Sequence, residues 1–346
     1  PLVVGVGGKH TFTLRSVYQK QIEPQKLLRK FPLIPRENDG LDTTTETVGM
    51  MINGVEINYL PYNISTDNLK PIFKEIPGWD EDLTTITKFS NLPKNFVNSP
   101  IAHRGYHDCN GSFKEGKGPE NSRRSIIHAI KNGLGVEIDI RFTKDYIPVV
   151  IHDDYLKRLC GVDEYLSNTD YRELSLLKLN NNENLPTLEE ILGIIDGKTP
   201  VLIEFKKLNK TQDLINIKKE LYSLLRGYSG PLALMSFDMK LITHFSKRLP
   251  YINRGIVLEK FDHYRKTFSS SVERIVTEFQ MQKNGVSFVS LKYTNLTKDF
   301  YDFNKRKNRK VLTWTIKSEL EVKKIKNLCD NITFEGFKPI YKFQGS

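Results

Sequence analysis

The hydrophobic pattern changes character across residues 91–100, where two prolines and three asparagines separate two regions of the chain. Before this break the sequence is turn-rich, and residues 48–57 form two short apolar runs around an Asn-Gly pair. Such a pair between apolar runs is the usual local signal for a tight β-hairpin. We therefore predict a small β-rich N-terminal domain over residues 1–96 and a second domain over residues 97–346.

After the break, short apolar runs alternate with segments of helical periodicity. Nine runs qualify as strands, whereas a barrel of alternating strands and helices needs eight. Residues 143–147 are too few for the crossover of a dozen or more residues that joins parallel strands, so we expect run 148–152 to be the return arm of a hairpin. The other eight strands then predict an α/β fold, a (β/α)8 TIM barrel. The predicted strands are 99–103, 135–142, 148–152, 201–206, 232–237, 254–258, 286–291, 311–316 and 332–335, and the predicted helices include 122–133, 211–226, 238–248, 294–307 and 318–328.

The composition is that of a soluble globular protein. The 346 residues suffice for a barrel of about 250 residues plus a smaller domain. No apolar run approaches the roughly 18 residues of a spanning helix, so we expect no transmembrane segment. The three cysteines are widely spaced, which is typical of neither a disulfide framework nor a CxxC metal site. With no signal peptide visible at the N-terminus, a cytoplasmic location is expected.

The positive charge is concentrated in the second region. Residues 1–96 carry 11 Lys and Arg against 11 Asp and Glu, so the net charge of +11 lies in residues 97–346. A basic domain favours an anionic substrate or an anionic polymer through long-range steering, although a solvated lysine-rich surface is an equally good explanation. Nucleic acid is not expected as a partner, because no basic stripe interleaved with aromatic residues is present.

Three carboxylates lie on predicted buried strands. Glu137 and Asp139 are two residues apart, so their side chains share one face of a strand, and Glu204 lies on the next barrel strand. Uncompensated charges at such positions are costly, and converging carboxylates repel one another unless a cation lies between them. An all-oxygen site selects Mg²⁺ or Ca²⁺. We therefore predict one divalent cation held by Glu137, Asp139 and Glu204; the alternative is that each acid lies at the surface or in an ion pair.

Two histidines, His103 and His152, end predicted strands beside other charged groups. Histidine is the side chain best suited to exchange protons near neutral pH, so both are candidates for acid and base catalysis on a phosphate ester. The sequence does not distinguish the acid from the base. Arg104 offers a planar fork for a phosphate, and Lys206 offers a compact positive charge from a neighbouring strand.

Other polar and aromatic residues are candidates for the same site. Glu120 is expected to anchor Arg104 or a substrate hydroxyl, and Trp314 to form an apolar wall at the barrel mouth or to lie in the core. Asn121 and Ser122 have the residue types of a helix cap. A second rank of candidates, for which loop or supporting roles are preferred, consists of His107, Asp108, Arg141, Asp153 and Ser236.

From Ile101 to about Pro339 the motif order resembles that of the glycerophosphodiester phosphodiesterase family. The resemblance implies a barrel enzyme that uses a divalent cation to hydrolyse glycerophosphodiesters to glycerol 3-phosphate and an alcohol, with the acid/base pair and ligands named above. Glu335 ends the last strand where many relatives have a Thr-Asp pair, and we expect this departure to affect substrate fit more than the catalytic core. The motifs are His103-Arg104-Gly105, Pro119-Glu120-Asn121-Ser122, Glu137-Ile138-Asp139, His152-Asp153-Asp154, Leu202-Ile203-Glu204-Phe205-Lys206 and Thr313-Trp314-Thr315.

Residues 49–57 resemble segments of tail or baseplate proteins of contractile-tailed phages. This resemblance implies a virion-associated enzyme, virion or oligomer assembly through residues 1–96, and a glycerophosphate polymer such as teichoic acid as substrate. Two alternatives stay open. One is a phospholipase D-like enzyme that acts on lipid head groups, and the other is a catalytically silent module that recognises an anionic polymer.

Overall fold

The structure, a computed structural model, divides into two compact units, Pro1–Lys88 and Phe89–Ser346. This boundary precedes the predicted one at residues 96/97, because Leu92 and Phe96 are buried in the core of the second unit. The structure describes the backbone of four strands in the first unit and, in the second, residues 92–109, 118–180, 182–210, 212–259, 277–278 and 280–340.

The described part of the first unit is a four-stranded antiparallel sheet with the strand order β2-β1-β3-β4. Ile52 pairs with Val55 across β3 and β4, which confirms the hairpin predicted within residues 48–57. This sheet is the β-rich element expected at the N-terminus. Its strands are β1 Leu2–Val6, β2 Thr11–Leu14, β3 Thr47–Ile52 and β4 Val55–Pro61.

The second unit is a closed barrel of eight parallel strands. The sheet order is β5-β13-β12-β11-β10-β9-β8-β6-β7, and the additional pairing of β5 with β6 closes it. The TIM barrel is therefore confirmed. The ninth strand, β7, runs antiparallel to β6, as predicted for a hairpin arm. The strands are β5 Ile101–Ala102, β6 Gly135–Phe142, β7 Pro148–Val150, β8 Val201–Phe205, β9 Leu232–Ser236, β10 Asn253–Leu258, β11 Val286–Lys292, β12 Lys310–Ile316 and β13 Asn331–Phe334.

Most helices begin at side chains that cap their first turn. Ser122 accepts a hydrogen bond from the backbone N–H of Ser125, which confirms the cap predicted there, and Thr187 caps the helix that precedes β8 in the same way. The predicted helix 211–226 starts later than expected, because a 3₁₀ turn precedes it. The described helices are α1 Asn95–Asn98, α2 Arg123–Lys131, α3 Lys157–Cys160, α4 Tyr171–Leu174, α5 Leu188–Ile195, α6 Lys219–Gly227, α7 Met239–Arg248, α8 Lys298–Arg306 and α9 Glu319–Ile325.

Two large apolar layers hold the barrel together. The outer faces of the strands pack against the helices, and the inner faces fill the barrel with side chains. Asn331 donates side-chain hydrogen bonds to the carbonyls of Phe96 and Ser99, both at 2.7 Å, so the segment around α1 is fixed to β13. The inner layer consists of Leu92, Phe96, Ile101, Leu202, Ala233, Met235, Val257, Phe288 and Leu312.

Residues 151–187, which we call the excursion, leave the barrel after the β6–β7 hairpin and return before α5. The excursion has its own apolar cluster, which includes Leu156, Leu166 and Leu174. It is fixed to the barrel next to the carboxyl end of β6, where the backbone N–H of Ile151 donates to the carbonyl of Asp139 at 2.9 Å. The excursion therefore places His152 near the mouth, which is the carboxyl end of the barrel strands.

Candidate active site

The three predicted carboxylates meet inside the barrel mouth. Glu137 and Asp139 lie on β6, and Glu204 lies on β8 directly opposite Asp139 in the strand register. One oxygen from each carboxylate can be chosen so that all three lie within 4.8 Å of one another. All three residues are buried. The structure therefore brings together the full set of predicted metal ligands.

The local charges shift the pKa values of these acids in opposite directions. Burial and the charges of Asp139 and Glu204 raise the pKa of Glu137 well above its ordinary value. Burial would also raise the pKa of Asp139, but Lys206 and Arg104 hold it below the ordinary value. Lys206 Nζ lies 2.7 Å from Asp139 Oδ1 and also forms an ion pair with Glu204. Lys206 therefore places a positive charge between Asp139 and Glu204.

The donor set fits a divalent cation. All three side chains offer carboxylate oxygens, which Mg²⁺ and Ca²⁺ prefer. Asp139 Oδ1 is buried and accepts no hydrogen bond of good geometry, although Lys206 Nζ is close to it. Buried polar atoms without a hydrogen bond are rare in native proteins, and a bound cation beside Lys206 would satisfy this oxygen.

His103 is held by a carboxylate that sequence reasoning did not include in the site. Its Nδ1–H donates to Glu335 Oε2 at 2.6 Å, and Lys317 Nζ lies 2.8 Å from the other Glu335 oxygen. Burial lowers the pKa of His103, and the bond to Glu335 opposes this effect. Glu335 therefore contacts one of the two candidate catalytic histidines, and the expectation that it affects substrate fit more than the catalytic core stays a prediction. The available signal was its position at the end of a barrel strand.

His152 has a corresponding carboxylate partner. Its Nδ1–H donates to Asp153 Oδ1 at 2.7 Å, so Asp153, a second-rank candidate, contacts a candidate catalytic residue. Arg141 Nε donates to the carbonyl of His152 at 2.6 Å and holds the backbone in place. Burial lowers the pKa of His152, although Asp139 and Asp153 favour the charged form.

Arg104 connects the loop after β5 to the carboxylates. Its backbone N–H donates to Glu137 Oε2 at 2.9 Å, and its Nη1 donates to Glu120 Oε1 at 2.7 Å, one of the two contacts expected for Glu120. Its Nε lies 3.2 Å from Asp139 Oδ2. Asn121, predicted only as a cap residue, donates Nδ2–H to the same Asp139 oxygen at 2.9 Å. These contacts orient the predicted metal ligands.

The aromatic side of the mouth contains Trp314 and Phe237. Their rings meet edge to face with centroids 5.6 Å apart, and Phe237 is 47% exposed. The Trp314 indole N–H donates to the carbonyl of Ser290 at 3.2 Å.

Two second-rank residues have supporting contacts. The Ser236 hydroxyl donates to the carbonyl of Phe205, and the His107 ring donates to the carbonyl of His103.

A closed barrel with histidines, carboxylates and cationic side chains at the carboxyl ends of its strands defines a class, the TIM-barrel enzymes. The model of the glycerophosphoryl diester phosphodiesterase family matches residues 103–331, and the chain belongs to this family. Family membership confirms the expected class of enzyme, a phosphoric diester hydrolase.

Known relatives agree with this assignment. YhdW of Bacillus subtilis (strain 168), a protein assigned to the glycerophosphodiester phosphodiesterases, is 26% identical over 235 residues, which are 65% of this chain and 88% of YhdW. A phosphodiesterase from Oleispira antarctica has the same fold, with a TM-score of 0.58, 23% identity and coverage of 70% of this chain and 94% of that one. A glycerophosphodiester phosphodiesterase from Parabacteroides distasonis has a TM-score of 0.55 at 22% identity, with coverage of 68% and 92%.

A separate similarity is short. Adenylosuccinate synthetase of Christiangramia forsetii is 44% identical over 57 residues, which are 16% of this chain and only 14% of that enzyme. So small a share of the enzyme implies no shared activity. The resemblance of residues 49–57 to phage tail proteins gains no support from these comparisons and stays a prediction. Within the part of the chain that the structure describes, no helix has the length and apolar character needed to cross a membrane.

Proposed function

We propose that this chain hydrolyses glycerophosphodiesters to glycerol 3-phosphate and an alcohol, with His103 and His152 as acid and base and a divalent cation as cofactor. The observation that carries the proposal is the convergence of both imidazoles and three buried carboxylates on the mouth of a barrel of this family. The Oleispira antarctica relative was solved in complex with the product sn-glycerol-3-phosphate, which supports the same product here.

The cation would be held by Glu137, Asp139 and Glu204. When bound, it would polarise a phosphoryl oxygen and offset the negative charge that develops in the transition state. Arg104 and Lys206 both lie against Asp139, so their charges are fixed beside the proposed cation site. Contacts from these two side chains to the phosphoryl oxygens would add to the stabilisation of that charge.

The histidines supply the proton transfers. Each donates Nδ1–H to a carboxylate, which leaves Nε2 as the atom that exchanges a proton with substrate. Burial lowers both pKa values below the ordinary 6.5, which favours the neutral ring that accepts a proton in the role of base. The neighbouring carboxylate then stabilises the imidazolium that forms.

The charge of the chain bears on the alcohol half of the substrate. The net charge of +11 favours a glycerophosphate polymer such as teichoic acid, because a polyanion is steered to a positive surface. A lipid head group is the second candidate. An apolar rim around the barrel mouth would favour it.

The direct test measures glycerol 3-phosphate release from glycerophosphocholine and from a glycerophosphate polymer, and release of the head-group alcohol from phospholipid vesicles, each with and without EDTA. We expect release that EDTA abolishes and that is lost in His152→Ala and Glu137→Ala. Release unaffected by EDTA, or retained in both variants, contradicts the proposal. No release from any of the three substrates after Mg²⁺ or Ca²⁺ is restored favours the silent binding module.

A second experiment assigns the acid and the base. A general acid matters only when the leaving alcohol is a poor leaving group, so a p-nitrophenyl ester of glycerol 3-phosphate bypasses it. We expect one of the variants His103→Ala and His152→Ala to regain p-nitrophenol release while it stays inactive on glycerophosphocholine. That histidine is the acid. If both variants lose activity equally on both substrates, the division into one acid and one base is contradicted.

A further inference from the structure

Arg158 lies on α3 of the excursion and binds two carboxylates at once. Its Nε donates to Asp153 Oδ2 at 2.6 Å, while Nη1 and Nη2 donate to the two oxygens of Glu120 at 2.8 and 2.7 Å. The guanidinium therefore donates N–H bonds along two of its edges, an arrangement that the single ammonium group of a lysine cannot reproduce.

Each partner of Arg158 contacts a residue of the proposed site. Asp153 accepts from His152 through its other oxygen, and Glu120 accepts from Arg104. The contacts therefore form one continuous chain in the order His152, Asp153, Arg158, Glu120 and Arg104. Nothing in the proposed chemistry uses Arg158 itself, so its place in this chain needs a separate explanation.

The two ends of this chain come from independently packed parts of the molecule. His152 belongs to the excursion, which has its own apolar cluster, whereas Arg104 follows β5 of the barrel. A shift of the excursion by an ångström would misplace an acid or base relative to the phosphate site, and such misplacements are costly in rate. A rigid link between the two parts meets this requirement.

Arg158 also resolves an electrostatic conflict. Asp153 and Glu120 both lie close to the same guanidinium, and without it they would repel each other. Burial raises the pKa of each carboxyl, but the bonds to Arg158 hold both below their ordinary values, so both stay ionised. The Arg158 side chain is 49% exposed, yet its two-sided, partly bidentate geometry is the kind for which ion pairs contribute measurably.

We propose that Arg158 is a positioning residue that couples His152 to Arg104: it fixes Asp153 so that one oxygen orients the imidazole, and it fixes Glu120 so that Arg104 stays beside the phosphate site. The inference rests on the proposed function for its catalytic consequence. Its structural part, the orientation of His152 through Asp153, is independent of the reaction.

The first test compares Arg158→Gln and Arg158→Lys with the control Arg172→Gln, which changes an exposed arginine on the same excursion. General acid–base groups contribute about 10²–10⁴ in rate, so partial loss of orientation predicts a fall in kcat of about tenfold in Arg158→Gln with little change in KM. Arg158→Lys should be intermediate. Values of kcat in Arg158→Gln equal to those of the control overturn the proposal.

A double-mutant cycle tests the route. If Arg158 acts through Asp153, then Asp153→Asn removes much of the route, and adding Arg158→Gln should lower kcat by less than about threefold further. Two effects that multiply in full overturn the proposed coupling of Arg158 to His152, because Arg158 would then act independently of Asp153.

A readout other than activity separates this inference from the proposed function. Histidine side-chain ¹⁵N NMR should show His152 with its proton on Nδ1 in the wild type, the signal being assigned by its loss in His152→Ala. We expect a mixture of tautomers in Arg158→Gln and the wild-type signal in Arg172→Gln. If the wild type is inactive but Arg158→Gln still shows the mixture of tautomers, the proposed function is contradicted and the coupling is supported. If Arg158→Gln shows the wild-type signal, the coupling is contradicted.

Discussion

At the scale of single residues, a carboxylate lies behind each histidine of the site. Glu335 accepts from His103 and Asp153 accepts from His152, at 2.6 and 2.7 Å. A carboxylate in this position fixes the tautomer of the imidazole and stabilises its charged form. Lys317 holds the second oxygen of Glu335, so this carboxylate is itself fixed.

The change Glu335→Gln tests the partner of His103. The amide can still accept a hydrogen bond, but it cannot balance the imidazolium, so we expect kcat to fall at least about tenfold with a smaller change in KM. The control is Glu259→Gln. This change removes an exposed carboxylate that directly follows β10 and pairs with Lys292. Initial-rate kinetics at saturating substrate provide the measurement. Equal kcat in the two variants contradicts a role for Glu335 behind His103.

The two histidine partners also differ in how well the sequence predicts them. Asp153 is the neighbour of His152, so the sequence brought it into consideration. Glu335 is 232 positions from His103 and meets it because β13 pairs with β5. Contacts that depend on barrel closure are not visible in local pattern, and neither is the link through Arg158. Residues at strand ends could be predicted, but their partners could not.

At the scale of elements, the turn after β5 fits closely against α2. Gly105 has a φ of +77°, and a Cβ placed on it would lie 2.5 Å from Ser125 Oγ and 2.9 Å from the Ser125 carbonyl carbon. Arg104, with a φ of 55°, also has a left-handed backbone conformation, and its N–H points to Glu137. The position of Arg104 therefore depends on the packing of this turn on α2.

Gly105→Ala is expected to destabilise the barrel and reduce activity. The control Gly133→Ala has the same sign of φ, +67°, but a Cβ there meets nothing within 4 Å, so it isolates the clash from the backbone strain. We expect Gly105→Ala to lower the free energy of unfolding by about 1–3 kcal/mol more than the control, measured by urea denaturation. Equal destabilisation of the two variants would show that Ser125 does not constrain the turn.

The helices and strands could be predicted more fully than the side-chain contacts of the site. The strands of the barrel lie close to the predicted runs because a strand buried on both faces is a continuous apolar segment. The β6–β7 hairpin could be predicted from the length of its connection alone. The late start of α6 could not, because the 3₁₀ turn before it depends on a local bond from Ile215 N–H to Asp213.

At the scale of the whole molecule, the positive charge predicts how substrates reach the mouth. If steering contributes, kcat/KM for a glycerophosphate polymer should fall several-fold as NaCl rises from about 0.05 to 0.5 M, because the screening length shortens over this range. Glycerophosphocholine has no net charge and serves as the control substrate. If kcat/KM for the polymer changes with salt no more than kcat/KM for glycerophosphocholine, the net charge of +11 does not steer the substrate and reflects only a solvated lysine-rich surface.

The central claim is that three buried carboxylates hold a divalent cation that the reaction requires. The most direct measurement adds Mg²⁺ or Ca²⁺ to EDTA-stripped protein and follows binding by calorimetry and glycerol 3-phosphate release together, in the wild type and in Glu137→Gln. We predict one cation bound per chain, release that returns in step with binding, and loss of both in the variant. Full activity in the stripped protein, or the same cation affinity in Glu137→Gln, contradicts the claim.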